Sequence, residues 1–396
     1  MPSVAVVVPE LLPVPAVKGG AVEHWVEEAI HRLDSSKYQI TVFSRPSGLV
    51  DSPGAIHYEP IAWTGADRYF LKLKNQLSWK NPLRYVAKMQ NVFSYGKRVA
   101  AKSSAFDVVY VHNEPNFFLL MKKQPGQRFV LHMHNDHLSS RLFRALYRLV
   151  LAKTDQVICV SEFIRRRAIL AFPEFEQKFS VILNATDPDL FKPLAEHEQA
   201  APPMPFLQAG AKHILYVGRL TEVKGVDVLI KAFGELYQRD SSLRLIIAGT
   251  SFFADAEQTP YVRYLSELAR PFQAGIIFTG FLPHQDLKYL YASVDLLVFP
   301  SVWDEPFGLV ILESMAAGTC VVASNVGAVA EIIEHEHNGI LVEANNPATL
   351  ALAMADVLAS PEQRNMISTR AREIVRQRFS WGRLIAELDT SLGRVT

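Results

Sequence analysis

Two glutamates, Glu305 and Glu313, stand eight positions apart in the segment WDEPFGLVILESMAAG. Pro306 ends the preceding strand, and residues 308–317 then predict a helix whose first unbonded N–H groups and positive dipole end favour an anion. Carboxylates beside this helix end would repel a simple anion, yet each can accept two directed hydrogen bonds from a diol. A pyrophosphate flanked by two polyols, as in a sugar nucleotide, suits this combination. The alternative is a core helix on which Glu313 is merely solvated.

Two cations, Arg219 and Lys224, follow an earlier β-branched run in the segment GRLTEVKG. Gly218 and Gly225 stand beside them and loosen the backbone at that point. Two cations on one loop could clamp a diphosphate. The same pattern also suits a solvated surface loop.

Histidines end two strand-like runs in the first half of the chain. His134 ends RFVLHMH, and His112 ends the preceding run, where Asn113 and Glu114 follow it. A histidine at the carboxyl end of a parallel strand can reach a ligand, although it can equally be a satisfied core residue. His134 is the stronger site candidate, and His112, Asn113 and Glu114 are candidates for an acceptor side.

Short β-branched runs alternate with amphipathic segments in both halves of the chain. Continuous apolar runs separated by helical patterns indicate strands buried on both faces of a parallel sheet. The expected strands are residues 4–8, 39–43, 107–112, 128–134 and 156–161, followed by 213–218, 243–249, 275–280, 294–301 and 319–324. A Pro-rich stretch near residues 190–212 separates the two sets. We therefore expect an α/β chain of two Rossmann-like, doubly wound domains, with ligands at the carboxyl ends of the strands and the active site in the cleft between the domains.

Size and charge fit this interpretation. The chain has 396 residues, too many for one ordinary α/β core and suited to two. Residues 1–190 carry 24 Lys and Arg against 17 Asp and Glu, so the first half is basic. Residues 66–105 are the densest basic stretch, interleaved with aromatic side chains, and Asp67 is their single acid. Such helices could offer a surface to an anionic membrane or a polyanionic acceptor, or be only a solvated face.

The cysteine content and the hydropathy of the sequence indicate the cellular compartment of the protein. Cys159 and Cys320 are the only cysteines and lie in separate apolar segments, so neither a disulfide framework nor a thiolate metal site is expected. The sequence has no apolar run of the length of a membrane span and no recognisable signal peptide. We expect a cytoplasmic protein, peripheral at most on the inner face of the cell membrane, with no nucleic-acid partner.

The segments EPFGLVILESMAAG and GRLTEVKG resemble the retaining glycosyltransferases of family 4, which have the two-domain GT-B fold. The resemblance implies that Glu305 contacts hydroxyls of the donor sugar and that Glu313 binds the nucleotide ribose. Arg219 and Lys224 match the pair that neutralises the pyrophosphate. His134 matches the active-site histidine that touches the donor sugar.

The resemblance covers nearly the whole chain. Residues 327–342 resemble the segment after the penultimate strand, and residues 182–193 resemble the interdomain crossing. It implies a boundary at residues 192 and 193 and a C-terminal helix, residues 380–396, that packs back on the first domain. Further donor contacts are implied for Gly19 and Gly20 at the distal phosphate, for Phe281 and Leu282 at the base, and for Phe307, Gly308, Leu309 and Val310 at the helix start.

One segment departs from the common pattern of the family, and another imitates a motif of a different glycosyltransferase fold. Residues 248–262 form a longer insert than most family members have, and they resemble a subgroup of spore-coat and surface-polysaccharide enzymes. Asp187 and Asp189, in DPD, imitate the metal-binding motif of another glycosyltransferase fold but fall in the expected crossing loop. We interpret them as structural and expect neither a metal nor another cofactor.

The implied function is transfer of a sugar from a nucleoside-diphosphate donor, with UDP the expected carrier, to a glycan, glycolipid or other surface-polysaccharide precursor. Same-face attack by the acceptor hydroxyl is expected, with retention of anomeric configuration. Two alternatives share the fold: a non-hydrolysing sugar-nucleotide 2-epimerase, and a non-catalytic coat or scaffold protein. A dinucleotide-dependent dehydrogenase is disfavoured, because no G-x-G-x-x-G follows the first strand.

Overall fold

The computed structural model describes residues 1–17, 20–47, 56–76, 82–194, 204, 206–251 and 259–393. The chain divides into two compact units. The first contains Met1–Leu183 together with Ile385–Thr396, and the second contains Asn184–Leu384. None of the helices within the described ranges is both long enough and apolar enough to cross a lipid bilayer.

A seven-stranded parallel sheet forms the first unit, in the order β3-β2-β1-β4-β5-β6-β7. Its strands are β1 (Ser3–Val7), β2 (Gln39–Ser44), β3 (Ile56–Pro60), β4 (Val108–His112), β5 (Arg128–Met133), β6 (Gln156–Cys159) and β7 (Phe179–Val181). Its helices are α1 (Ala21–Arg32), α2 (Gly65–Gln76), α3 (Pro82–Ser103), α4 (Phe117–Leu120), α5 (Arg144–Lys153) and α6 (Glu162–Ala171). The central strands are β-branched and fully buried because helices cover both faces of a parallel sheet.

A six-stranded parallel sheet forms the second unit, in the order β10-β9-β8-β11-β12-β13. Its strands are β8 (His213–Val217), β9 (Arg244–Ala248), β10 (Ile276–Gly280), β11 (Leu296–Phe299), β12 (Cys320–Ser324) and β13 (Ile340–Val342). Its helices are α7 (Val226–Tyr237), α8 (Pro260–Ala269), α9 (His284–Ala292), α10 (Leu309–Ala316), α11 (Val329–Ile332), α12 (Pro347–Ala359) and α13 (Pro361–Arg378). The strand order reverses between β8 and β11, the position where open α/β sheets bind ligands.

The C-terminal helix α14 (Trp381–Leu392) buries a stripe of Leu384, Leu388 and Leu392. The Tyr38 hydroxyl donates a hydrogen bond of 2.7 Å to Asp389 on this helix. Arg128, on β5, donates to the carbonyl of Ser391 at 3.0 Å. These contacts fasten the end of α14 to the sheet of the first unit.

Both predicted domains are doubly wound parallel sheets, as expected, and each predicted strand is present within a residue or two of its expected ends. Asp187 also has a structural role, because its Oδ1 accepts hydrogen bonds from the backbone N–H groups of Asp189 and Leu190 at 3.0 and 3.1 Å. This is an Asx turn, in which an aspartate side chain stabilises the local backbone.

Candidate active site

A buried ion pair joins the carboxyl ends of β8 and β11. Lys224 Nζ lies 2.6 Å from Glu305 Oε1, and the two side chains are only 17% and 6% exposed. The Ser301 hydroxyl donates to the same carboxylate oxygen at 2.6 Å. The rings of Phe299 and Trp303 lie 5.8 and 5.6 Å from the ammonium, so the pair has an aromatic wall. A cation and a carboxylate are therefore held together where the strand order reverses.

Glycines allow the loops around this pair to approach closely. Gly225 has φ of +65°, and a Cβ there would lie 2.0 Å from the carbonyl oxygen of Pro300. Gly327 has φ of +56°, and its Cβ would lie 2.2 Å from the carbonyl oxygen of Glu305. The N–H of Ala328 donates to that carbonyl at 2.8 Å. The sequence argument assigned no role to Gly327, although Gly followed by an apolar segment after a strand was the available signal.

Arg219, just after β8, has an exposed side chain. It has no ion-pair or hydrogen-bond partner for its guanidinium among the described residues, while its carbonyl accepts from the Tyr216 hydroxyl at 2.8 Å. Gly249 lies so close to Gly218 that a Cβ would stand 1.8 Å from the Gly218 carbonyl oxygen. This packing fixes the backbone at Arg219 and leaves its charge available to a ligand.

Glu313 lies on α10, and each of its carboxylate oxygens has one partner on α9. His284 Nε2 lies 2.9 Å from Oε1, and the Tyr291 hydroxyl donates to Oε2 at 2.8 Å. Phe191 packs edge-on against both of these rings, which orients them. Sequence reasoning missed His284 and Tyr291. The only signal was a histidine directly after the FLP of the loop that was assigned to the base.

The start of α10 has no side-chain cap. Gly308 occupies the N-cap position with φ of 140°, and no side chain bonds to the first N–H groups of the helix. Leu309 and Val310 are half-buried there, and Phe307 is buried behind them. Unbonded N–H groups at a positive helix end suit an anion. In the loop after β10, Phe281 is exposed and Leu282 is half-buried.

Three histidines gather at the carboxyl ends of β4 and β5. His112 Nδ1 and His134 Nε2 are 3.0 Å apart, and His132 Nδ1 lies 2.5 Å from the Tyr110 hydroxyl. The Trp25 ring packs against all three imidazoles. Burial lowers the pKa of His134 to about 3 and holds the pKa values of the other two well below the ordinary range. All three are therefore neutral at physiological pH.

Asn113 links the ends of these two strands. It adopts φ of +60°, in the left-handed region that a non-glycine residue seldom occupies. Its Oδ1 accepts from the backbone N–H groups of His134 and Asn135 at 3.0 and 3.1 Å, and its own N–H donates to the His132 carbonyl. His112, Asn113 and Glu114 are all buried. His112 and Asn113 contact His134, and the assignment of His112, Asn113 and Glu114 to an acceptor side stays a prediction.

The three histidines are the one cluster of metal-ligating type in the described part of the chain, with ligand atoms within 4.8 Å of one another. A zinc ion needs imidazole nitrogens that converge at about 2.0 to 2.1 Å. Here the rings are stacked, with interplanar angles of 25° for His112 and His134 and 19° for His132 and His134. Stacked rings aim their lone pairs side by side, so the arrangement fits a neutral hydrogen-bonded network better than a metal centre.

Gly20 begins α1 after the first strand. It has φ of +106°, and a Cβ there would lie 2.2 Å from Glu23 Oε2. Glu23 is itself buried, and this burial raises the pKa of its carboxyl group to about 7. Gly19, the other residue expected at the distal phosphate, lies outside the described residues.

Comparison with known proteins adds family information to this geometry. The family model described as Glycosyl transferases group 1 matches residues 203–374, and the one described as Glycosyltransferase Family 4 matches residues 19–190. The uncharacterized glycosyltransferase MJ1607 of Methanocaldococcus jannaschii is 33% identical over 71% of this chain and 74% of its own length. Spore coat protein SA of Bacillus subtilis is 28% identical over 97% of each chain.

Among solved structures, Anabaena Alr3699/HepE in complex with UDP and glucose superposes with a TM-score of 0.74. It is 20% identical, and the match covers 98% of this chain and 99% of that one. At this identity the likeness concerns the fold.

Proposed function

Because the chain belongs to the group 1 glycosyltransferases with the GT-B fold, we propose that it is a retaining transferase that uses a UDP-sugar donor. The acceptor is a hydroxyl of a glycan or lipid-linked precursor of a surface polysaccharide. The observation that carries this proposal is the buried pair of Lys224 and Glu305 at the switch point, with the oriented carboxylate of Glu313 on the adjacent helix. UDP is supported by the complex of Alr3699/HepE, which contains UDP and glucose.

The diphosphate is the proposed partner of the positive groups. Lys224 has three N–H donors, so it can keep its bond to Glu305 while it donates to a phosphate oxygen. Arg219 and the uncapped start of α10 supply further positive charge at the carboxyl edge of the same sheet. Fixed positive charge aimed at the leaving group stabilises the charge that develops there in the transition state.

The two glutamates bind hydroxyl groups in this proposal. Glu305 uses Oε1 for Lys224 and Ser301, which leaves its second oxygen to accept from a sugar hydroxyl. Glu313 accepts a hydrogen bond from α9 on each oxygen, and a carboxylate oxygen can accept a second hydrogen bond, here from a ribose hydroxyl. His134 is proposed to orient the sugar as a neutral hydrogen-bonding group, since its low pKa does not suit a proton carrier.

The proposed reaction balances without a protein nucleophile. The acceptor oxygen forms its bond to the anomeric carbon on the face from which the bond to the phosphate oxygen breaks. The acceptor proton passes to a phosphate oxygen of the departing diphosphate. Retention of configuration follows from attack on the same face, and isolation of a covalent glycosyl-enzyme would contradict it.

Calorimetric titration of the metal-free protein with UDP, GDP and ADP and their common sugar conjugates tests the proposal. We expect selective binding of one diphosphate, and weakening by about tenfold or more in Lys224→Ala, because a charge-assisted phosphate contact is lost. Lys231→Ala is the matched control, since that exposed lysine forms its ion pair with Asp227 on its own helix. A folded protein that binds none of the diphosphates would contradict the donor site.

A lipid-linked acceptor would place the enzyme at a membrane surface, and residues 66–105 are the proposed contact. On this proposal the enzyme works in the cytoplasm, peripheral on the inner face of the cell membrane. Donor binding does not depend on this location, because Lys224, Glu305 and Glu313 belong to the second unit and the basic stretch belongs to the first.

A further inference from the structure

The loop between β11 and α10 carries an exposed aromatic residue, Trp303. It is 37% exposed, whereas Phe299, the other aromatic residue on the wall beside Lys224, is 6% exposed. Among the described residues, the indole Nε1–H of Trp303 has no hydrogen-bond partner. An indole combines an apolar face with a polar donor at its edge, so it suits a ligand that has both characters.

The backbone is fixed directly before Trp303. The N–H of Val302 donates to the Val223 carbonyl at 3.0 Å, and the Val302 side chain packs against the hydrophobic core of the second unit. Gly225 approaches so closely that a Cβ there would lie 3.1 Å from Val302 Cγ1. Val302 is thus held on the core side of the loop, while Trp303 faces solvent.

The backbone is also fixed directly after Trp303. A Cβ on Gly327 would lie 2.8 Å from the carbonyl carbon of Asp304 and 2.4 Å from the backbone nitrogen of Glu305. The Ala328 N–H donates to the Glu305 carbonyl at 2.8 Å. Trp303 therefore lies between anchored neighbours. A side chain on a fixed backbone loses less conformational entropy on binding than one on a free loop, so contacts to this ring contribute more to affinity.

Trp303 lies beside the buried ion pair of the site. Lys224 Nζ is 5.6 Å from the centre of the Trp303 ring and 2.6 Å from Glu305 Oε1. The Lys224 and Glu305 side chains are much less exposed than the indole. The indole thus borders the approach to the pair, and one sugar ring can touch both the indole and the Glu305 carboxylate.

The three parts of a nucleotide sugar differ in how they suit this position. The diphosphate is disfavoured, because the face of an aromatic ring carries partial negative charge. The base is disfavoured by the strand order. Phe281 and Leu282, the residues expected at the base, follow β10, and β9 and β8 separate β10 from β11. The C–H groups of a sugar carry partial positive charge and suit the ring face, while its hydroxyls can accept from the indole N–H.

We propose that Trp303 binds the sugar of the donor, with a C–H face of the sugar on the indole ring and a hydroxyl within reach of Nε1–H. The proposal rests on the proposed function, in which Glu305 binds a hydroxyl of the same sugar. Lys224 and Glu313 meet the diphosphate and the ribose, which all conjugates of one nucleoside diphosphate share. Trp303 meets the part that differs, so it is a specificity-determining residue of the donor site.

Calorimetric titration with UDP, UDP-glucose, UDP-galactose and UDP-N-acetylglucosamine tests the proposal. In Trp303→Ala, the affinity for the conjugate that binds best to the unaltered chain should fall by about tenfold, the scale of a lost apolar contact in a binding pocket. The affinity for UDP itself should stay nearly unchanged. Trp303→Phe keeps an aromatic face and should retain most of the conjugate affinity that Trp303→Ala loses.

Tyr264→Ala is the matched control, since Tyr264 is an aromatic residue of α8 that is 44% exposed. This variant should bind UDP and each conjugate like the unaltered chain. Equal affinity of Trp303→Ala and the unaltered chain for every conjugate would overturn the proposal. An equal loss for UDP and its conjugates would also overturn it, because Trp303 would then act only by shielding Lys224. A folded, unaltered chain that binds neither UDP nor any conjugate would contradict the proposed function itself, and this proposal with it.

Tryptophan emission provides a second measurement, since the chain contains five tryptophans. The preferred conjugate should change the emission more than UDP does, because its sugar packs on the Trp303 ring. This excess change should be absent from Trp303→Phe. An excess change of the same size in Trp303→Phe would place the sugar against another residue and overturn the proposal.

Discussion

Glu305 is held by two hydrogen bonds to one oxygen, from Lys224 and Ser301. Glu305→Gln keeps the size of the side chain but removes the charge that a sugar hydroxyl would meet. We expect turnover to fall by about two orders of magnitude or more, the scale of a lost positioning interaction, while UDP affinity changes little. Steady-state kinetics and calorimetry measure both quantities. Glu334→Gln, at an exposed glutamate, is the control, and activity within about threefold of the unaltered enzyme would exclude Glu305 as the sugar contact.

His134 has a pKa of about 3 because it is buried against two other imidazoles. It therefore stays neutral from pH 5 to 8, where an ordinary histidine changes charge. The pH profile of kcat/KM should keep the same shape in His134→Gln, although the rate itself falls. An ionisation near neutral pH that disappears in His134→Gln would show that this histidine carries a proton.

Glycine contacts determine the position of Glu305 at the level of the loops. In Gly327→Ala the new Cβ would collide with the Glu305 backbone in a left-handed conformation. We expect a loss of about 2 kcal/mol or more in unfolding free energy, together with a loss of turnover. Gly210→Ala is a matched comparison, since Gly210 also has positive φ but a Cβ there meets nothing within 4 Å. Gly210→Ala should lower the free energy of unfolding by only about 1 kcal/mol. Equal losses in the two variants would argue against a close contact between Gly327 and the Glu305 backbone.

The start of α1 carries a pH dependence of stability. The pKa of Glu23 is raised from 4.5 to about 7, because burial disfavours its charged form. The stabilising contribution of the neutral Glu23 carboxyl group to the free energy of unfolding is thus fully present below pH 4.5 and is lost as the pH rises through 7. Glu23→Gln should unfold like the unaltered chain at pH 4 and be more stable at pH 8, by at most about 3 kcal/mol. Urea unfolding at the two pH values measures this, and a variant that is less stable at pH 8 would contradict the burial effect.

Strands buried on both faces could be predicted from sequence because their apolar runs are continuous, as in VVYVH of β4. The three strands that the sequence argument missed are all short or at an edge. β3 reads IHYEP, is only partly buried and ends in a proline, and β13 has three residues. An edge strand is exposed along one side, so its sequence lacks the apolar run that identifies a central strand.

The candidate site was proposed from residue types at strand ends. Which of its side chains pair with one another depends on the tertiary fold. Lys224 and Glu305 are 81 residues apart and meet only because β8 and β11 are neighbours. The bonds of His284 and Tyr291 to Glu313 depend in the same way on how α9 packs on α10. The left-handed conformation of Asn113 also follows from the strand ends around it.

For the whole molecule, the proposed charge stabilisation needs no divalent ion, since Lys224, Arg219 and the start of α10 supply positive charge. Turnover should survive EDTA unchanged within about twofold, and added Mg²⁺ should not raise it further. Dialysis against chelator before the assay measures this. Loss of activity that Mn²⁺ or Mg²⁺ restores would contradict the proposal and would require a metal to neutralise the diphosphate.

The fastening of α14 to the first unit affects how the chain is made. Tyr38 and Asp389 are hydrogen-bonded but 351 residues apart. The rest of the first unit ends at Leu183, and its last segment begins at Ile385, 202 residues later. At roughly 5 to 20 residues per second, the ribosome needs about 10 to 40 s for the residues in between. The first unit therefore waits through the synthesis of the second unit before the end of α14 can pack on it.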